Sequence, residues 1–142
     1  MVNDRFGIQW GYAGGSALSS IEEAREAAKF AEKAGFDSFW ISHATGIDPV
    51  VALACIGDEV SDLDEMGTSV VPLYGRHPVG LAQLVRTAQS ALDGRFTLGI
   101  GTASRRHVEG VLGLTWEKPF SYTQEFLAAL EPLLGGKPAD TD

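Results

Sequence analysis

Residues 66–78, MGTSVVPLYGRHP, decide how this sequence folds. Residues 66–74 form a nearly continuous apolar run without alternation, which is typical of a parallel strand buried on both faces. The dipeptide His77-Pro78 follows, and a proline at the first helical position predicts that a helix begins there. A buried strand followed directly by a helix is the repeating unit of parallel α/β proteins.

The same strand–helix order extends in both directions from this stretch. Further strands are predicted at residues 5–10, 36–42 and 95–101. Helices are predicted at residues 21–34, 50–60 and 79–92, and in a last segment with Tyr122, Phe126, Leu130 and Leu133. The strands begin about 30 residues apart, the length of a βαβ unit. We therefore expect one α/β domain, residues 1–142, built as a small doubly wound sheet or as part of a (β/α)8 barrel of the TIM type. A whole barrel takes about 250 residues, so four βα units make a half-barrel.

Capping residues mark where the predicted helices begin and end. Ser20 and Glu23 form an S-x-x-E capping box before the first helix. Gly35 is a suitable residue for the end of that helix. Asp48, followed by a proline, predicts the start of the second helix. These signals place the helices independently of the hydrophobic pattern.

The composition of the 142 residues excludes several classes of protein. A net charge of −8 argues against a nucleic-acid partner, because such proteins usually carry a basic face. The single cysteine, Cys55, excludes an internal disulfide, and its apolar neighbours predict a small core residue. No apolar run is long enough for a membrane span, and the first residues lack an apolar signal region. We expect a soluble cytoplasmic protein.

Cationic side chains follow the predicted strands. They are His43, His77 and His107, together with Arg76, Arg105 and Arg106. The carboxyl ends of parallel strands form the ligand-binding edge of both candidate folds. The pattern favours an anionic ligand held by charge-assisted hydrogen bonds.

Simpler interpretations exist for several of these residues. His77 precedes a helix-starting proline, so it can serve only to shape the helix entry. Arg105 and Arg106 can lie in a solvated loop, because charged runs usually face water. Three histidines can bind zinc, although no HExxH or close histidine pair supports a metal site.

Glycines and tryptophans also allow two interpretations. Gly99 and Gly101 either let the backbone approach a planar ligand or serve a tight strand bend. They are not a Rossmann fingerprint, because no helix is predicted to begin directly after them. Trp10, Trp40 and Trp116 are expected to pack in the interior rather than form a ligand cage.

Three segments together resemble the luciferase-like monooxygenase superfamily, and within it the branch that uses the deazaflavin coenzyme F420. The segments are EEAREAAKFAEKAGFDSFWIS (22–42), GTSVVPLYGRHPVGLAQ (67–83) and GRFTLGIGTASRRHVEGVLGLTWEKPF (94–120). The resemblance implies a (β/α)8 barrel of which this chain matches the N-terminal half. It also implies a flavin or deazaflavin over the carboxyl ends of the strands.

The resemblance further implies a set of site residues. A non-proline cis peptide is expected at Ser69–Val70, supporting the cofactor ring. Cofactor-binding residues would be Thr68, Ser69, Val70, Arg76, His77, Gly101 and Thr102. His43 is the candidate general acid or ring-contacting group. The reaction would be hydride transfer between the cofactor and a small organic substrate.

The sequence departs from the family pattern at two places and in length. Many deazaflavin relatives carry an aspartate where Ser42 stands, and some carry an acid where residues 103–105 read Ala-Ser-Arg. F420 is the expected cofactor, with FMN as the alternative. A half-barrel leaves open strand edges, so we expect a homodimer or a C-terminal half from elsewhere. The alternatives are an inactive or structural half-barrel that needs a partner chain and, more weakly, a histidine–metal hydrolase.

Overall fold

The computed structural model describes residues 18–43 and 45–135, where helices alternate with short strands. The helices are α1 Ile21–Lys33, α2 Pro49–Ile56, α3 Pro78–Ala91, α4 Arg105–Gly110 and α5 Pro119–Leu134, with a 3-10 turn at Gly57–Glu59. The strands are β1 Ser38–Ile41, β2 Glu65–Thr68, β3 Val71–Pro72, β4 Phe96–Thr97 and β5 Ile100–Gly101. The strand predicted at residues 5–10, with Trp10, lies outside the described residues.

All strand pairs in the described part of the chain are parallel. β1, β2 and β4 form one sheet in that order, and β3 pairs with β5. The register places Phe39, Met66 and Phe96 side by side across the first sheet. These three side chains are nearly or fully buried and belong to one hydrophobic core. The core also contains Leu53, Ile56, Leu63, Leu81 and Leu92. The prediction of a parallel α/β architecture is confirmed.

The helix boundaries follow the predicted capping residues. The Ser20 side chain accepts a hydrogen bond from the backbone N–H of Glu23. The Glu23 carboxylate bonds the backbone N–H and hydroxyl of Ser19, one residue earlier than a capping box requires. Gly35 has a φ of +82°, a conformation that glycine adopts without strain. Asp48 accepts hydrogen bonds from two backbone N–H groups of the first turn of α2.

The predicted strands at residues 66–74 and 95–101 are each divided in two, which corrects the expectation of continuous strands. Ser69 and Val70 separate β2 from β3, and Leu98 and Gly99 separate β4 from β5. The Ser69–Val70 peptide bond is cis, as the family resemblance implied. A regular ladder therefore stops at the carboxyl end of the first sheet and resumes beyond it.

Two other expectations are wrong. Cys55 is exposed on α2 and is not a core residue. The apolar character of α2 on all sides gave no indication of which face turns outward. A helix, α4, also begins soon after the strand glycines, with Ser104 as its N-cap. Among the described residues, no helix is long and apolar enough to cross a membrane.

Candidate functional site

A bulge formed by Ser69 and Val70 lies where β2 ends, and the end of β1 holds it on one side. The Ser69 N–H donates to the Ile41 carbonyl at 2.9 Å. The Ser42 hydroxyl donates to the Ser69 carbonyl at 2.6 Å. The His43 N–H donates to the Val70 carbonyl at 3.3 Å. These bonds satisfy backbone groups that the interrupted ladder would otherwise leave unpaired.

Gly99 holds the bulge on the opposite side. The Thr68 hydroxyl accepts from the Gly99 N–H and donates to the Gly99 carbonyl, each at 2.9 Å. The same carbonyl accepts from the Val71 N–H at 2.8 Å. A Cβ on Gly99 would lie 1.9 Å from the Thr68 carbonyl oxygen, and one on Gly101 would lie 2.7 Å from Val70 Cγ2. The strand contact therefore requires a glycine at position 99, where the obstacle is backbone, whereas at position 101 the obstacle is the partly exposed side chain of Val70.

The bulge separates two cavities. One has a volume of about 490 Å³ and is lined by His43, Thr45, Ser69, Val70, Pro72, Ala103, Ser104 and His107. The other, of about 420 Å³, is lined by Ser38, Trp40, Glu65, Thr68, Ser69, Val70 and Gly99. We call the first the histidine cavity and the second the sheet cavity. Ser69 and Val70 belong to both, so the bulge forms a shared wall.

His43 is a half-buried side chain of the histidine cavity. Its Nδ1 atom is buried and has no hydrogen-bond partner among the described residues. The nitrogen left to meet a ligand in the cavity is therefore Nε2. Burial lowers the pKa of His43, and the charges of Arg76 and His107 lower it further against the opposing effect of Asp48. The imidazole is thus favoured in its neutral form, in which one nitrogen accepts and the other donates.

Asp48 and Arg76 form an ion pair beside the cavity. Arg76 Nη2 lies 2.7 Å from Asp48 Oδ2, and both side chains are partly buried. Burial acts to raise the pKa of Asp48, but hydrogen bonds from Arg76 and the α2 backbone outweigh it, so that the pKa is lowered. The carboxylate already accepts hydrogen bonds from three donors, so its oxygens are occupied by contacts within the protein.

The structure brings together only some of the predicted site residues. His43, Ser69 and Val70 line the histidine cavity, whereas Thr68 is buried with its hydroxyl on Gly99. His77 caps α3 by accepting from the Val79 N–H through Nδ1, which agrees with the helix-entry interpretation. Arg76 acts on the cavity through its charge rather than as a lining residue. The ligand roles of these residues, and of Gly101 and Thr102, stay predictions.

Six residues at the site were absent from the set that the resemblance implies, although His107 was among the cations expected at this edge. They are Ser42, Thr45, Pro72, Ala103, Ser104 and His107. Ser104 and His107 reach the cavity because only three residues separate α4 from β5, and the N-cap serine was the sequence signal for that helix. Ser42 contacts the bulge through a side-chain hydrogen bond, which hydrophobic periodicity cannot predict.

The remaining candidates from the sequence have other roles. The Trp40 ring packs over Gly67 and its Nε1 donates to Ser38 Oγ at 2.9 Å, but the ring is partly buried and lines the sheet cavity, so its packing role stays a prediction. The Arg105 guanidinium lies over the Trp116 ring, 5.1 Å from its centroid, while remaining exposed. Within residues 18–43 and 45–135, no cluster of three or more histidine, cysteine, aspartate or glutamate side chains could hold a metal ion.

Parallel βα units with a cavity at the carboxyl ends of the strands define part of a TIM-type barrel. The sequence model for the luciferase-like monooxygenases matches residues 5–142, so the chain belongs to that family. It is 33% identical to an uncharacterized protein of Mycobacterium tuberculosis strain H37Rv over 84% of this chain and 34% of the relative. It is 32% identical to the F420-dependent glucose-6-phosphate dehydrogenase of Beutenbergia cavernae over 79% of this chain and 37% of the relative. The chain thus spans about a third of these curated relatives.

Solved structures support the barrel fold. The coenzyme F420 dependent tetrahydromethanopterin reductase from Methanopyrus kandleri superposes with a TM-score of 0.78 at 18% identity, over 97% of this chain and 42% of that one. The oxygenating constituent of 3,6-diketocamphane monooxygenase from Pseudomonas putida, in complex with FMN, gives a TM-score of 0.75 at 21% identity, over 91% and 39%. The prediction of a partial TIM-type barrel is confirmed.

Proposed function

We propose that this chain provides the cofactor platform of an F420-dependent oxidoreductase that transfers a hydride between the cofactor and a small organic substrate. The observation that carries the proposal is the bulge at Ser69 and Val70, which faces the histidine cavity at the carboxyl ends of the strands. Family membership supports a flavin-type oxidoreductase. F420 is favoured because the Beutenbergia relative is named as F420-dependent, and FMN is the alternative suggested by the diketocamphane enzyme.

The residues present fit a planar ring system. Val70 is 41% exposed and, with Pro72 and Ala103, offers apolar surface to the cavity, while the other five lining side chains carry polar groups. Apolar surface that can lie against a ring, with polar groups that fix its orientation, is typical of cofactor sites. When bound, the deazaflavin or flavin supplies hydride chemistry. Ser69 and Val70 would support it, and Gly101 and Thr102 would approach it.

His43 is proposed to hold or release the proton that accompanies hydride transfer. Its Nε2 is the ring nitrogen open to the cavity, since Nδ1 is buried. The lowered pKa of His43 keeps a neutral imidazole available near physiological pH. A neutral imidazole can accept a proton, and the imidazolium that forms can release it again, which suits general acid–base catalysis.

The chain is proposed to work with further βα units, supplied by a second copy or by a C-terminal half. The face of the sheet opposite the helices carries Trp40, Glu65 and Thr97, and the last two are hydrogen-bonded at 2.6 Å. These side chains are only partly buried in the described part of the chain. In a closed barrel this face is interior. A partner-dependent structural role without activity remains the competing proposal.

Cofactor binding tests the function directly. Purified protein is titrated with F420 and with FMN, followed by absorbance and by native mass spectrometry. We expect a retained cofactor on a dimer or larger assembly, with F420 bound more tightly than FMN. Val70→Asp should abolish binding, because a charge would replace apolar ring contact. Val79→Asp is the matched control, since Val79 is 42% exposed on α3, away from both cavities. Failure of both cofactors to bind any assembly would refute the proposal.

A further inference from the structure

We infer that the histidine cavity recognises a substrate that carries a carboxylate or phosphate group. The inference rests on the proposed function and assigns a substrate class to the same site. Its first support is the charge of the lining. The described lining residues include two histidines and three hydroxyl side chains but no aspartate or glutamate.

The carboxylate whose charge acts on His43 is already paired within the protein. Asp48 bonds Arg76 at 2.7 Å and accepts from two backbone N–H groups of α2. The groups whose charges act on His43 are Arg76, Asp48 and His107, and the first and last oppose its protonation. Arg76 and His107 thus oppose a positive charge at His43, while Asp48 favours one. A cationic ligand would meet no carboxylate on the described lining, so the lining offers an anion donors without a repelling charge.

The polar groups on the lining also suit an oxyanion. His43 Nε2 becomes a donor when the ring is protonated, and a bound anion favours that form. The Ser104 hydroxyl accepts from the His107 N–H at 3.2 Å, which leaves its own hydrogen for a ligand. Thr45 adds a second exposed hydroxyl. Charge-assisted hydrogen bonds of this kind are shorter and stronger than neutral ones.

The cavity size limits the substrate. About 490 Å³ has to hold both the cofactor ring and the substrate, which limits the substrate to a small organic acid or a phosphate monoester. The anionic group could in principle belong to the cofactor or to the substrate. We assign it to the substrate, because His43 is the proposed proton-transfer residue and a substrate must lie within its reach.

The test uses benzoate and phenyl phosphate as anionic probes and benzamide as the uncharged analogue of benzoate. The chain has three histidines, so their imidazole signals can be followed by NMR. We expect benzoate to raise the pKa of His43, a gain of about tenfold in proton affinity, as a nearby opposite charge does, and to move the imidazole signals of His107. His77 lies outside the cavity lining, and its signals serve as an internal reference. Benzamide should leave the pKa of His43 and the signals of all three histidines unchanged.

Variants test whether the two histidines, rather than the overall charge of the protein, bind the anion. His43→Gln and His107→Gln should each weaken benzoate binding about tenfold and leave benzamide unchanged. Arg86→Gln, on the outer face of α3, removes a charge away from the cavity and should have no effect. Thermal unfolding checks that the variants fold, and the pKa shifts in the unaltered protein stand even where a variant does not.

Three results would overturn the inference. Equal affinity for benzoate and benzamide would remove the anion preference. Binding unaffected by either histidine variant would place the probe elsewhere. Displacement of benzoate by F420 or FMN that leaves the pKa of His43 raised would assign the anion site to the cofactor, because displacement by an uncharged ring alone would return that pKa to its value in the free protein. Failure of the cofactor titration alone would refute the proposed oxidoreductase instead, so the two failures are distinguishable.

Discussion

The two ends of the same strands are stabilised in different ways. At the amino end, Phe39, Met66 and Phe96 lie in regular register and are buried beneath the helices. At the carboxyl end, the bulge at Ser69 and Val70 accepts hydrogen bonds from Ser42 and His43, and its neighbours Thr68 and Val71 bond Gly99. The amino end is stabilised by apolar burial, and the carboxyl end by individual hydrogen bonds and by glycine, which has no side chain to clash. The amino end therefore contributes most to the stability of the fold, and the carboxyl end forms the ligand cavity.

Truncating a buried side chain at the amino end of the strands should give the largest loss of stability. Phe39→Ala is expected to lower the free energy of unfolding by about 3–5 kcal/mol, because a fully buried ring is replaced by a cavity. Phe120→Ala is the matched control, since Phe120 is 75% exposed and should change stability by less than about 0.5 kcal/mol. Urea unfolding measures both. Similar losses for the two variants would contradict the placement of Phe39.

Adding one carbon at the carboxyl end of the strands should cause the next largest loss of stability. Gly99→Ala places a Cβ 1.9 Å from the Thr68 carbonyl oxygen, which is backbone and can move only with its strand. We expect a loss of about 3 kcal/mol, at the upper end of the overpacking range. Gly80→Ala on α3 meets nothing within 4 Å and should stabilise the protein by up to about 1 kcal/mol. Thermal unfolding of the pair tests the contrast, and a tolerated Gly99→Ala would contradict the close strand contact.

The ion pair beside the cavity links stability to pH. Asp48→Ala removes both the α2 cap and the partner of Arg76 and should cost about 2 kcal/mol at pH 7. Asp48→Asn keeps a capping oxygen and should cost about half as much, near 1 kcal/mol. The pKa of Asp48 is lowered in the folded protein, so its contribution is complete above the unfolded value. The contribution is lost as the pH falls through the folded value.

Unfolding of Asp48→Asn and the unaltered protein is therefore compared at pH 7, 5 and 3. We expect their difference to shrink toward the lowest pH. A difference that stays constant over the whole range would show that the Asp48 charge contributes nothing to folding.

The structure at the amino end of the strands was predictable from the sequence, and that at the carboxyl end only in part. Burial on both faces predicted parallel strands, and the Asp48 and His77 caps predicted where helices begin. Periodicity cannot predict the bulge, because a side chain such as Thr68 replaces backbone partners there. The resemblance supplied the Ser69–Val70 position, which no pattern in the sequence gives. The exposed face of α2 was missed for a related reason: an apolar residue at every position, Cys55 included, specifies no direction.

Removing the Ser42 hydroxyl should have the smallest effect on stability and a larger one on the cavity. Ser42→Ala deletes one hydrogen bond to the Ser69 carbonyl and should cost about 1 kcal/mol. Ser42→Thr keeps the hydroxyl and should retain most of that stability. Because Ser69 lines both cavities, the alanine variant should also weaken cofactor binding, measured by F420 titration, more than the threonine variant does. Equal damage from both variants would indicate crowding at position 42 rather than a lost bond. No effect of Ser42→Ala would mean that the backbone bonds from Ser69 and His43 suffice to hold the bulge.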